Sequence, residues 1–159
     1  MGESFTEQGG ALTREIISHS PKETEDCAAR LAATLKAGDL VAFRGPMGAG
    51  KTAMIRGIAR VFGVEEEVSS PTFAIMNVYQ GTLTLHHYDM YRIGSWDDLY
   101  TTGFFDDLED PRVLLLIEWS ENIAEYLPDA CYVVELSYGP SEDSRCISIK
   151  YPEKEKKPC

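Results

Sequence analysis

The sequence has no long hydrophobic run. Its longest uninterrupted apolar stretch is Val113–Ile117, against the roughly 20 residues that a membrane-spanning helix needs. Basic residues are also few: 15 Lys plus Arg stand against 26 Asp plus Glu, for a net charge of −11. Phosphate backbones recruit basic surfaces, so this balance argues against independent nucleic-acid binding; an RNA role would need a basic partner or a local basic patch. No basic segment followed by an apolar run opens the chain. Residues 1–10 are polar and carry Glu3 and Glu7, so no secretory leader is expected. Cysteines are sparse. Cys27, Cys131, Cys146 and Cys159 include no pair at metal-ligand spacing, and they read as reduced thiols in a cytoplasmic protein. No internal repeat is present.

What remains is the material of one domain: 159 residues, 43% of them apolar, enough for a core of its own. A flexible leader is expected over 1–12, a folded domain over 13–152 and a flexible charged tail over 153–159. Residues 13–18 suit a short strand. Ser20-Pro21-Lys22-Glu23 is a helix start, with Ser20 as cap, Pro21 in the first turn and Glu23 closing a capping box. Gly38 is expected to stop that helix. Leu40–Phe43 is short and apolar, as strands of a buried parallel sheet are. Met54, Ile55, Ile58 and Val61-Phe62 have helical spacing, with Gly63 closing. Strands are expected over 73–79 and 83–88, joined by Gln80-Gly81. A helix capped by Ser95 follows, then a buried strand over 113–117, a short helix over 120–126 and strands over 130–136 and 146–151. Buried strands alternating with helices predict a single α/β domain, its mixed, mostly parallel sheet flanked by helices.

Between the strand at 40–43 and the next helix lies Gly45-Pro46-Met47-Gly48-Ala49-Gly50-Lys51-Thr52. This is Gly-x-x-x-x-Gly-Lys-Thr in its proper strand–loop–helix setting, a phosphate-binding loop. Gly45, Gly48 and Gly50 let backbone amides approach a ligand closely. Those amides and the helix N-terminus offer partial positive charge to phosphate oxygens. Lys51 can bridge the β- and γ-phosphates, and the Thr52 hydroxyl can ligate Mg²⁺. The expected ligand is a nucleoside triphosphate, ATP with Mg²⁺.

Magnesium needs further oxygen ligands. Glu118 ends the run Val-Leu-Leu-Leu-Ile-Glu, at the carboxyl end of a buried strand, where ligands bind in open α/β sheets. Asp89 ends another strand, in His87-Tyr88-Asp89-Met90-Tyr91-Arg92. It can hold magnesium through water, position the attacking water, or be structural. Arg92 can meet phosphate or pair with an acid. Adjacent in a strand, His86 and His87 point to opposite faces, and an ordinary satisfied or solvent-facing role is expected for both. Thr72, in Ser69-Ser70-Pro71-Thr72, can sense a γ-phosphate as switch loops do, or can belong to an ordinary turn.

No Asn-Lys-x-Asp segment for guanine is present, no transporter-type signature follows the loop, and only Arg92, Arg112 and Arg145 lie downstream of Arg60 to serve as lid arginines. A hydrolase or nucleotide-driven switch is therefore favoured over a small-molecule P-loop kinase. A nucleotide-dependent binding module without turnover is the third reading.

In chain order, Gly45–Thr52, Ser69–Phe73, His87–Arg92 and Leu116–Trp119 resemble the TsaE family, the small P-loop ATPase of bacterial threonylcarbamoyladenosine (t6A) tRNA modification. Asp97-Asp98-Leu99 with Gly103, and Leu127-Pro128 before a strand, resemble it too. The resemblance covers roughly residues 13–150. It implies a P-loop ATPase fold and hydrolysis of ATP in concert with TsaB and TsaD. TsaD attaches the threonylcarbamoyl group to adenosine 37 of tRNAs that read ANN codons, so tRNA would be met only through the complex. It further implies that Thr52 and Glu118 hold magnesium, that Asp89 is a catalytic or magnesium-linked acid, and that Thr72 is a switch residue near the γ-phosphate. Trp119 would pack beside the nucleotide, and Thr24 and Arg145 would lie near its base. Either Asp89 or Glu118 would orient the attacking water. The chain departs from the family at Pro46 and Met47, where Asp or Asn and Leu are usual, at Ala53, often Ser or Thr, and at Met90, usually Leu. None of these removes a phosphate or magnesium group, although Pro46 takes one N–H out of the loop.

Overall fold

A computed structural model describes residues 2–71 and 75–153. Thr72 and residues 154–159 of the expected tail lie outside the described residues.

Among the described residues eight strands form one sheet: β1 Glu3–Gln8, β2 Ala11–Ser18, β3 Leu40–Arg44, β4 Met76–Gln80, β5 Thr84–Asp89, β6 Val113–Glu118, β7 Tyr132–Tyr138 and β8 Arg145–Lys150. Their spatial order is β1-β2-β8-β7-β3-β6-β5-β4. The four central strands, β7-β3-β6-β5, run parallel. Antiparallel pairs complete both edges: β1 with β2, β2 with β8 and β7 with β8 on one side, β4 with β5 on the other. The parallel character is thus that of the core, as the apolar runs of β3 and β6 predict; all six residues of β6 are buried.

Helices cover both faces. Helix α1 (Pro21–Ala32) and helix α2 (Lys51–Val61) lie on one, packing Leu31, Met54, Ile55 and Ile58 against Val41, Phe43, Leu114 and Leu116. Helices α3 (Trp96–Tyr100) and α4 (Phe104–Leu108), with a 3₁₀ helix over Ser120–Tyr126, lie on the other. There Leu99, Phe104 and Ile123 meet Leu40, Ala42, Leu115 and Ile117. Alternate residues of β3 and β6 therefore enter opposite halves of the core, the period-2 rule of a strand buried on both sides.

The expected helix caps are present. Ser20 Oγ accepts from Glu23 N–H at 3.1 Å, and Ser95 Oγ from Asp98 N–H at 3.1 Å. The Glu23 carboxylate reaches back one residue further than in a standard capping box, accepting from His19 N–H at 2.7 Å.

Three expectations are corrected. Residues 3–8, assigned to a flexible leader, form β1 and pair with β2. Every residue of β1 is exposed, so no apolar alternation marks it. The strand is set instead by the Gly9-Gly10 turn, where φ is 59° and 86°, the paired positive values a tight hairpin needs. Helix α1 ends at Ala32, well before Gly38; the Thr34 N–H and hydroxyl both donate to Leu31 O at the turn that ends it. Helix α4 was not expected at all: it has five residues and starts from Gly103 at φ 84°, with no side-chain cap to announce it.

Candidate functional site

The site lies at the carboxyl ends of β3, β5 and β6, where open α/β sheets bind ligands. β3 leads into the glycine loop and α2. Gly45 has φ 140°, and a Cβ there would stand 2.3 Å from the Leu136 carbonyl oxygen, so no other residue fits beside β7. Gly50, at φ 107°, is the N-cap of α2. That helix has no side-chain cap, unlike α1 and α3, and no acid in its first turn, unlike α1, α3 and α4, which leaves its first amides to an anion.

Lys51, first in α2, is buried at 6% exposure. Its ammonium donates to the carbonyls of Gly45 and of Pro46, the latter at 3.0 Å, and sits 4.0 Å from the centre of the Trp119 ring. Burial lowers its pKa, while Glu118, Glu121 and Asp89 pull the other way. Trp119 holds φ 57°, a left-handed conformation at the turn out of β6 that sets the indole beneath Lys51, with the exposed Tyr91 ring 5.0 Å away.

Thr52 and Glu118 meet. The Thr52 hydroxyl donates to Glu118 Oε1 at 3.0 Å, the Ser70 hydroxyl donates to Oε2 at 3.0 Å, and the two hydroxyl oxygens are 2.9 Å apart. Behind them, His87 Nε2 lies 2.6 Å from Glu118 Oε2. Burial raises the Glu118 carboxyl, but the His87, Ser70 and Thr52 contacts outweigh it and hold the pKa below the ordinary carboxylate value. Asp89 is the register partner of Glu118 on the adjacent strand. Its Oδ1 accepts from Tyr91 N–H at 2.9 Å, and burial raises its pKa, with the nearby Glu118 charge adding to the rise.

Together Met47, Gly48, Gly50, Lys51, Thr52, Ser70, Asp89, Arg92, Glu118 and Trp119 line an open cleft of about 460 Å³, within the size range of small-molecule sites. Two hydroxyls and two carboxylates converge there. Hard oxygen donors of this kind suit a magnesium ion that takes the rest of its coordination from water and phosphate.

The structure thus gathers the loop, Lys51, Thr52, Asp89, Glu118 and Trp119 into one cleft. Ala49 is fully buried beneath the loop, and Met47 is 70% exposed at its tip. Arg145, the first residue of β8, reaches the loop from outside, with Nη2 donating to Gly48 O at 3.3 Å and the guanidinium over the Tyr138 ring. Tyr138 in turn donates to Met47 O. Thr24 is not brought into the cleft. It is 2% exposed, its hydroxyl 2.7 Å from Ser18 Oγ and donating to Ser20 O, while its methyl underlies Gly50. Thr24 thus lies under the loop, where α1 packs directly against α2. Two residues of the site were missed in the sequence. His87 is fully buried against Glu118, and Ser70 joins Glu118 to Thr52. The signal for His87 was its position two residues before Asp89 on the same face of β5; His86, as expected, faces the other way, to Asp107 at 2.6 Å.

A family model described as "Threonylcarbamoyl adenosine biosynthesis protein TsaE" matches residues 18–147. The chain belongs to the TsaE family. A tRNA threonylcarbamoyladenosine biosynthesis protein TsaE from Treponema pallidum (strain Nichols) is 36% identical over 121 residues, 76% of this chain and 87% of that protein. The TsaE of Rickettsia prowazekii (strain Madrid E) is 40% identical over 120 residues, 74% of this chain and 82% of its own. That of Mycobacterium tuberculosis (strain CDC 1551 / Oshkosh) is 36% identical over 147 residues, 86% of this chain and 84% of its own. In three dimensions the chain is similar to the crystal structure of Bacillus subtilis YdiB, with a TM-score of 0.71 and 29% identity, covering 91% of this chain and 89% of that one. TsaE proteins are thus named for t6A biosynthesis, and this chain carries their P-loop fold.

Proposed function

We propose that this protein binds and hydrolyses ATP with magnesium and that it serves, with TsaB and TsaD, in forming t6A at adenosine 37 of tRNAs that read ANN codons. The observation that carries this reading is the meeting of the Thr52 hydroxyl with the Glu118 carboxylate at 3.0 Å, at the mouth of a phosphate-binding loop. The loop amides and the start of α2 cradle the phosphates, and Lys51 leaves the Gly45 and Pro46 carbonyls to neutralise them. Thr52 and Glu118 would hold the magnesium ion, and Asp89 would reach it through water. When bound, the ion screens phosphate charge and orients the triphosphate. Asp89 or Glu118 orients the attacking water. Burial raises the Asp89 pKa, whereas the contacts of His87, Ser70 and Thr52 lower that of Glu118.

Thr72 is the proposed γ-phosphate sensor. The segment that leads to it is tied to the site through Ser70, so a change at Glu118 and Thr52 reaches it directly. Arg145, whose Nη2 donates to Gly48 O at 3.3 Å, is the residue proposed to lie near the base.

The chain's charge supports a protein partner and not tRNA itself. From Gly94 to Ala130, the stretch that includes the second helical layer, Arg112 is the one basic residue among ten acids, and Arg112 pairs with Asp110 at 2.9 Å. Such a surface repels phosphate backbones. A cytoplasmic location is proposed on the same grounds as in the sequence, and among the described residues no helix is long and apolar enough to cross a membrane.

The test is phosphate release from ATP and Mg²⁺ by the purified protein, alone and with TsaB and TsaD. Release that the partners stimulate supports the proposal. Phosphate transferred to a small metabolite, or nucleotide bound without turnover under every partner condition, would contradict it.

A further inference from the structure

Glu118 is 3% exposed, and each of its carboxylate oxygens is assigned. Oε1 faces the Thr52 hydroxyl; Oε2 takes the Ser70 hydroxyl and His87 Nε2. The His87 contact, at 2.6 Å, is the shortest of the three and the most deeply buried, with His87 itself fully inaccessible. A carboxylate oxygen only accepts, so Nε2 carries the hydrogen. The other ring nitrogen, Nδ1, is 3.4 Å from the Tyr79 hydroxyl, which donates to the Ser69 carbonyl at 3.1 Å. The Asn77 amide donates to that same carbonyl at 3.2 Å. Glu118, His87, Tyr79 and Ser69 therefore form one chain of contacts, and Ser70, next to Ser69, closes it back onto Glu118.

Register explains how the sheet builds this. β5 and β6 run parallel with Asp89 opposite Glu118 and His87 opposite Leu116. His87 and Asp89, two apart, share a face. One strand thus delivers an acid to the mouth of the cleft and, one step deeper, a donor to the back of the neighbouring acid.

We propose that His87 is a positioning residue: its Nε2–H fixes Oε2 of Glu118 so that Oε1 stays turned to Thr52, and recognition of the magnesium–nucleotide pair depends on His87 although His87 touches neither. The proposal rests on the magnesium–ATP reading above. A partner that orients a ligating carboxylate is worth about 10- to 100-fold in metal affinity when removed.

Binding of ATP by calorimetry, in Mg²⁺ and in EDTA, tests it on the full chain. His87→Gln places an amide nitrogen near the position of Nε2 and keeps the donor; His87→Leu removes it; His87→Asn ends short of Glu118. The ratio of affinity in Mg²⁺ to affinity in EDTA is expected to fall about 10- to 100-fold in His87→Leu and in His87→Asn and to be largely restored in His87→Gln, while affinity in EDTA, set by the loop and Lys51, stays at the wild-type value. Loss of melting temperature without loss of that ratio would assign His87 to packing and overturn the proposal. So would an equal loss of the ratio in all three variants. Should His87→Leu not fold, a folded His87→Asn with the wild-type ratio overturns it as well. Wild-type affinity that is the same in Mg²⁺ and EDTA overturns the magnesium reading and this proposal together, whereas a normal wild-type ratio that survives His87→Leu overturns this proposal alone.

Discussion

The Thr52 hydroxyl and the Glu118 carboxylate, 66 residues apart in the chain, lie 3.0 Å apart at the ends of α2 and β6. Neither α2 nor β6 determines this alone. It follows from β6 lying beside β3 in parallel register, with Leu40 opposite Leu115 and Ala42 opposite Ile117, so that β6 carries Glu118 to the level of the loop that β3 launches. Thr52→Val keeps the shape and removes the hydroxyl. It is expected to weaken ATP binding in Mg²⁺ by on the order of tenfold or more while leaving binding in EDTA unchanged; paired calorimetric titrations check this.

Lys51→Ala removes the buried ammonium that bridges the loop carbonyls and faces Trp119. A hydrogen bond to a charged group contributes about 1.5–3 kcal/mol, so ATP affinity should fall about 10- to 100-fold with or without magnesium. That contrasts with Thr52→Val, whose effect is confined to magnesium. Calorimetry of both variants separates the two roles.

Two glycines separate function from stability. Gly45→Ala would drive a methyl group into the Leu136 carbonyl at 2.3 Å and strain a φ of 140°, which distorts the loop where it leaves β3. Gly57→Ala would meet the Glu25 carbonyl at 2.4 Å, where α2 crosses α1. Gly57→Ala should cost about 1–3 kcal/mol of stability with ATP affinity preserved in the folded fraction; Gly45→Ala should lower ATP affinity well beyond its effect on melting. Denaturant melts and nucleotide titrations, run on both, distinguish these outcomes.

Asp110 and Arg112 give a pH prediction. The Arg112 guanidinium donates to both Asp110 oxygens, at 2.9 and 3.0 Å, and holds that carboxyl down at about 2 from an ordinary 3.8. A depressed folded-state pKa contributes stability that is present above the ordinary value and is lost as pH falls from 3.8 toward 2. Both groups are on the surface, so the contribution is small. Carboxyl chemical shifts followed by pH titration should place Asp110 near 2 in the wild type and higher, though still below 3.8, in Arg112→Ala, which loses the guanidinium but keeps the backbone N–H that donates to Oδ1 at 2.9 Å.

The sequence revealed the central sheet, the loop and both strand-end acids, because each is written in a local pattern. Val113–Ile117 is apolar on both faces, Gly45–Thr52 is a fixed spacing, and Asp89 and Glu118 end strands. What it hid is what register and packing create. β1 was illegible because all of its residues are exposed and no apolar alternation marks it; its pairing rests on backbone bonds and on Arg14 of β2, which meets Glu3 and lies over the Phe5 ring. His87 looked ordinary because its meaning lies in facing Glu118 across two strands, a relation that no local spacing states. The burial of Thr24 under Gly50 was illegible too, because it comes from the tight crossing of α1 over α2. The departures at Pro46 and Met47 proved compatible with the loop: the Pro46 carbonyl accepts from Lys51, and Met47 projects into solvent.

The most direct test of a magnesium–ATP site that serves tRNA modification is t6A formation at adenosine 37, measured in a mixture of tRNA, threonylcarbamoyl adenylate, TsaB, TsaD and ATP with Mg²⁺, to which either the wild-type protein or Glu118→Gln is added. The account predicts t6A with the wild type and little or none with Glu118→Gln. Equal t6A with the two proteins, or none with the wild type, would contradict it.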